Sequence, residues 1–135
     1  MPDDNFELEC DRLSSAVDSV QFERIRWARH EGPMLERMVQ LAQAAVADRP
    51  DFELTDEGSR GAVKRYVIKV HGFRIVAVNL GLDEGRAAVW GETIERSRFR
   101  IAGQRYSADF ALVDEAWMKA TLGAIVGEIE APAAD

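Results

Sequence analysis

Cysteine is nearly absent from this sequence: Cys10 is the only one, so no disulfide can close within the chain and a disulfide-stapled scaffold is excluded. Histidine is almost as scarce, and two separated residues, His30 and His71, do not make a metal site. Long apolar runs are also missing, since the longest near the C-terminus, Leu122 to Val126, falls far short of the ~18–20 residues that span a bilayer. The first ten residues carry acids where a signal peptide needs a basic and then an apolar segment. A soluble, cytoplasmic protein that does not engage membranes is therefore expected. There is no Walker loop, no dinucleotide glycine fingerprint, no CxxC pair and no periodic repeat. Neither Cys10 nor any serine has a histidine close in sequence to activate it. No catalytic residue is nominated, and no cofactor or metal is expected.

What is present is ordinary for one folded domain spanning residues 1–135, with 47% hydrophobic and 30% charged residues. The net charge is −7, which repels phosphate backbones at long range and argues against direct nucleic-acid binding. The charge is unevenly spread. Residues 1–60 hold 14 acids and 7 bases, residues 61–110 hold 5 acids and 9 bases, and residues 111–135 hold 5 acids and 1 base.

The basic middle is also the richest in Val, Ile, Tyr and Phe. Two such runs flank His71-Gly72, and a third, Arg86 to Glu95, follows the loop Gly81 to Gly85, which is the pattern of an antiparallel meander. Glycine and histidine both tolerate the positive φ that a two-residue hairpin requires, so turn geometry accounts for His71 without a chemical role. Apolar residues fall on both faces of the middle strands (Tyr66, Ile68 and Val70 against Val67; Ile75 and Ala77 against Val76 and Val78). The second face must therefore be covered, by the N-terminal helix or by another copy of the sheet.

Before the sheet, residues 5–30 read as helix, with Phe6, Cys10, Leu13, Val17 and Val20 at spacings of three and four. Past Val20 the apolar positions rotate onto another face, so the pattern allows either a continuous helix or a break between Asp18 and Glu23. Gly32-Pro33 is expected to stop it, His30 to cap it, and a second helix is expected from Pro33 or Met34 to Asp48. Phe52 to Leu54 reads as a short edge strand and Thr55 to Gly61 as a polar loop. A long C-terminal helix is expected from Leu112 to Glu130, packed on the sheet. Val113, Trp117, Ala120, Ala124 and Gly127 mark its stripe, Met118, Leu122, Ile125 and Ile129 widen it, and Gly123 and Gly127 are placed for close approach to the sheet or to its counterpart. The fold expected is α+β: N-terminal helices, an antiparallel sheet of about five strands, and the C-terminal helix.

The most suggestive pattern is Arg96-Ser97-Arg98-Phe99-Arg100-Ile101. On a strand, Arg96, Arg98 and Arg100 would share one face, and Arg105, on a return strand, would extend the row toward an acidic partner or a phosphorylated ligand. The competing reading is a solvated strand face whose charges discourage aggregation. Glu92, Glu95 and Asp109 lie beside these arginines as expected ion-pair partners.

Two classes of function fit. The first is a non-catalytic protein-binding module (adaptor, dedicated chaperone or inhibitor), homodimeric through the sheet or the last helix, with Arg96, Arg98, Arg100 and Arg105 meeting a protein partner. The second is a small-molecule binding domain or enzyme. Its pocket would lie between sheet and C-terminal helix, lined by Tyr66, Phe73, Trp90, Tyr106 and Trp117.

Overall fold

The computed structural model describes residues 2–132. Among these are three N-terminal helices, a five-stranded antiparallel meander and a C-terminal helix, an α+β chain as expected. The sequence reading treats residues 1–135 as one domain; within it two compact units are distinguished, the first ending at Pro33 and the second beginning at Met34.

In the first unit, α1 (Pro2–Val17) and α2 (Ser19–Arg29) are separated by a single extended residue, Asp18 (φ −156°, ψ 97°). The Asp18 carboxylate accepts the N–H of Gln21 at 3.0 Å, so it caps α2 and puts the break at the start of the expected window. His30 closes α2 by donating its N–H to the Arg26 carbonyl at 3.0 Å. Helix α3 (Glu31–Val46) begins at the next residue, so Gly32-Pro33 does not end the first helix but sits in the first turn of α3. First-turn N–H groups have no intrahelical acceptor, and proline loses nothing there. The apolar stripe is uncovered: Phe6 is 66% and Val17 77% exposed, and Leu8, Leu13 and Val20 are exposed with them.

The second unit holds β1 (Phe52–Arg60), β2 (Val63–Val70), β3 (Phe73–Asp83), β4 (Arg86–Glu92) and β5 (Arg105–Asp109) in sequence order, every neighbour antiparallel. The β2–β3 turn is His71-Gly72 with φ of 51° and 82°, and the β3–β4 turn is Glu84-Gly85 with φ of 48° and 79°. Positive φ at both centres is the turn whose twist matches paired strands. The loop expected over Gly81 to Gly85 thus shrinks to two residues. The expected polar loop Thr55 to Gly61 is mostly strand, because β2 is long enough to template β1 as far as Arg60. The strand absorbs Gly58 (φ 101°) in a bulge, where Gly58 N–H donates to Asp56 Oδ1 at 2.7 Å.

Cross-strand partners share a face. The pairings Leu54–Ile68, Tyr66–Val78–Gly91 and Val89–Tyr106 define the face that meets helix α4 (Glu115–Glu128), since a Cβ on Gly91 would touch Ile125. Helix α3 buries Leu35, Met38, Leu41 and Ala42, and Gln43 Nε2 donates to the Leu54 carbonyl at 3.2 Å. The opposite face carries Val67 and Ala77, then the row Arg65–Asn79–Trp90–Arg105. Part of it is covered by a segment that neither sequence alternative named: Ile94, just past β4, packs on Val67 and Ala77.

Helix α4 is shorter than expected. Asp114 is its cap, accepting the Trp117 N–H at 2.8 Å, and Phe110–Leu112 form a separate 3-10 turn. It buries Met118, Thr121, Leu122 and Ile125, while Ala120, Ala124 and Gly127 are exposed. Gly123 and Gly127 approach nothing: a Cβ on either would have no neighbour within 4 Å. Within the described residues they therefore do not serve the close packing on the sheet that was expected.

Candidate functional site

The arginine row does not form. Residues 96–101 are no strand: their only ladder contact is an isolated bridge from Arg100 to Glu130. Arg96 instead adopts φ 67° in a turn. Ser97 is buried and donates its hydroxyl to the Ile75 carbonyl at 2.6 Å. Arg100 bridges to Glu130 through paired backbone bonds of 3.1 and 2.7 Å, and its guanidinium donates to the Ser97 carbonyl at 2.6 Å. Arg98 is exposed. Arg105 stands on β5, its guanidinium 4.3 Å from the centre of the Trp90 ring. Four arginines that alternation would align thus have four different surroundings.

The five aromatic residues are not brought to one pocket either. Tyr66 and Tyr106 lie on the α4 side of the sheet. Trp90 follows Val89, the partner of Tyr106, and so points to the other face. Phe73 is 72% exposed at the start of β3, and Trp117 is half-buried on α4. The ion pairs expected beside the arginine row are not found among the described residues: Glu92 pairs with Arg65 instead, and Asp109 Oδ1 accepts the Ala111 N–H at 3.0 Å.

On the face opposite α4, a cleft of about 570 Å³ is lined by Arg60, Arg65, Asn79, Trp90, Glu57 and Glu92. Three of its four charged residues are paired, while no salt bridge to Arg60 is found among the described residues. Arg65 and buried Asn79 both donate to Glu92, and Arg74 donates to Glu57 at 2.8 Å, which holds the Glu57 carboxyl below its ordinary range. The Trp90 ring is also occupied, lying against Gly81 and beneath Arg105.

A different surface is apolar and open. A groove of about 390 Å³ is lined by Phe52, Ile68, Val70, Phe73, Ile75, Phe99, Val126 and Ile129, with His71 at its end. It shares Phe52 and Val126 with a second depression of about 310 Å³, bordered by Ala45 and Val46 of α3, Leu122 of α4, and the cations Arg49 and Lys119. Arg49 lies 5.1 Å over the Phe52 ring and pairs with Asp51 at 2.5 Å. The sequence reading expects a pocket between the sheet and the C-terminal helix, and this groove lies there, but of the five residues named for its lining only Phe73 takes part.

In the first unit, Glu7, Cys10, Asp11 and Ser14 of α1 face Phe22, Ile25, Arg26, Arg29 and His30 across a cleft of about 500 Å³. The start of α1 and the end of α2 line the same cleft, so the two helices run back against each other as a hairpin. Among the described residues no group of three His, Cys, Asp or Glu side chains is placed to hold a metal ion, and no helix is long and apolar enough to cross a membrane. Comparison with protein-family models, with curated proteins and with solved structures returned no match to this chain.

Proposed function

We propose that this chain is a non-catalytic protein-binding module, an adaptor, dedicated chaperone or inhibitor, that works as a homodimer. The observation that carries the reading is the apolar groove between the β2–β3 hairpin and α4, with Phe73 72% exposed at its rim. Exposed apolar surface of this kind gains about 25 cal/mol for each Å² that a partner covers. Lys119 at its border, for which no salt bridge is found among the described residues, suits an amphipathic segment with an acidic flank. Affinity capture from the native host with the wild-type protein and with Phe73→Ser/Val126→Ser, followed by mass spectrometry, tests it. A partner held by the first and lost by the second, at unchanged Tm, is expected. A partner held equally by both would place binding elsewhere.

A second reading, binding of a small apolar molecule in the same groove, is supported by its volume, which exceeds the ~300 Å³ at which ligand pockets begin. Extraction of the purified protein with organic solvent and mass spectrometry of the extract separates the two, because only this reading expects a stoichiometric compound.

A further inference from the structure

Ile94 covers Val67 and Ala77 on the sheet face turned away from α4, and beside them the same face opens into the cleft of about 570 Å³. Strand register sets its side chains in rows, Arg65–Asn79–Trp90 and next to it Arg60–Val63–Gly81. Arg60 on β1 and Asn79 on β3 are therefore two strands and one row apart, roughly 10 Å across the sheet and 7 Å along it.

One end of the cleft is short of a donor. Asn79 is 5% exposed, and its neighbour Glu92 orients it, because an ionised carboxylate accepts hydrogen bonds and donates none. The atom 3.3 Å from Glu92 Oε2 is thus the Asn79 nitrogen, and Oδ1 is turned away from it. No hydrogen bond to that oxygen is found among the described residues, nor one to Glu92 Oε1, since Arg65 and Asn79 both donate to Oε2. A buried amide oxygen that lines a cleft takes its donor from what fills the cleft.

The other end is short of an anion. Glu57 is paired with Arg74 and Arg65 with Glu92, whereas no salt bridge to Arg60 is found among the described residues. One guanidinium matches the two oxygens of a carboxylate, and the nearby Glu57 and Glu92 disfavour a head of higher charge such as a phosphate. The rest of the lining offers apolar surface at Val63 and at the edge of the Trp90 ring, whose faces are taken by Gly81 and Arg105. We propose that the cleft binds a small organic acid: its carboxylate on the Arg60 guanidinium, its apolar body against Val63 and the Trp90 edge, and an N–H donor at its far end on Asn79 Oδ1. The spacing of Arg60 and Asn79 puts acid and donor at opposite ends of one small ring and not on one carbon. This site is on the other face of the sheet from the apolar groove, and it stands or falls apart from the protein-binding reading.

Magnetic resonance titration of the isotope-labelled full chain with para-aminobenzoate tests it, against benzoate, which lacks the donor, aniline, which lacks the acid, and inorganic phosphate. Para-aminobenzoate is expected to shift the Asn79 side-chain amide and the Arg60 Nε–H together and saturably. Affinity should fall about tenfold or more for aniline and in Arg60→Gln, and about three- to tenfold for benzoate. Arg60 is exposed, so the variant is expected to keep the rest of its spectrum. Absence of both shifts at millimolar para-aminobenzoate overturns the proposal. Benzoate or phosphate binding as tightly as para-aminobenzoate would reduce the site to an anion contact at Arg60 and overturn the role of Asn79, and unchanged affinity in Arg60→Gln would overturn the placement of the acid. Shifts confined to Phe73 and Val126 would put the compound in the groove and overturn the cleft assignment, leaving the reading of the groove untouched.

Discussion

A Cβ added at Gly91 would overlap the Cδ1 atom of Ile101, whereas one added at Gly123 or Gly127 would meet nothing. Gly91→Ala is therefore expected to cost about 1–3 kcal/mol by overpacking. Ile101→Val, which removes Cδ1, should restore part of that loss. Gly123→Ala and Gly127→Ala should each stabilise by roughly 0.5–1 kcal/mol, because they relieve backbone entropy in a helix and touch no neighbour. Urea midpoints of the single and double variants check both signs. In the β1–β2 hairpin, the Asp56 carboxyl is held below its ordinary range first by the Gly58 N–H and then by Lys64. Asp51 is held low by Arg49 and Glu57 by Arg74. A carboxyl that titrates lower when folded stabilises above its unfolded value of about 4, and that contribution is lost as the pH falls through the lowered folded value. Stability should therefore be flat above about pH 5 and decline in acid. Asp56→Asn should shallow the decline, by a small amount because these groups are exposed. The turn at His71-Gly72 was readable from residue types alone, since positive φ admits few of them. The position of Gly58 was not, since it is set by the strand beside it.

At the level of elements, α4 ends on an acid, Glu128, in the turn where the helix dipole favours a base. The compensation comes from elsewhere in the chain: the Glu128 carboxylate accepts the N–H groups of Gly103 and Gln104, each at 3.1 Å, and the Tyr106 hydroxyl at 2.7 Å. It fixes the loop that leads into β5. Glu128→Ala should leave those N–H groups unpaired and cost about 1 kcal/mol in urea unfolding. The same change should lower the Tyr106 titration toward its ordinary value, because the hydrogen bond to Glu128 is what raises it; ultraviolet difference spectra in alkali read this directly. The arginine segment 96–101 shows the limit of periodicity. Its alternation is that of a strand, yet its backbone finds a ladder partner only at Arg100, in the isolated bridge to Glu130. Thr55 to Gly61 errs the other way, since its loop-like composition yields to a long neighbouring strand that supplies partners for its backbone.

For the whole molecule, the two units stand on different footings. The second buries Val67, Val76, Ala77, Val89, Met118 and Ile125 almost completely, whereas the first buries nothing among its described side chains. On heating, α1 and α2 should lose their helical ellipticity before the sheet unit reaches its thermal transition, because helices of this length without a packed face are marginal in water. Far-UV circular dichroism with a thermal scan checks this. The succession of N-terminal helices, antiparallel meander and C-terminal helix, the tight turn at His71-Gly72 and the α+β class were determined by the sequence, since capping, turn chemistry and hydrophobic period act over a few residues. Which face each aromatic side chain takes, where the four arginines go and where an apolar groove opens were decided only by the tertiary structure. Those outcomes depend on register and on which edges and surfaces are already occupied, and both are set by residues distant along the chain.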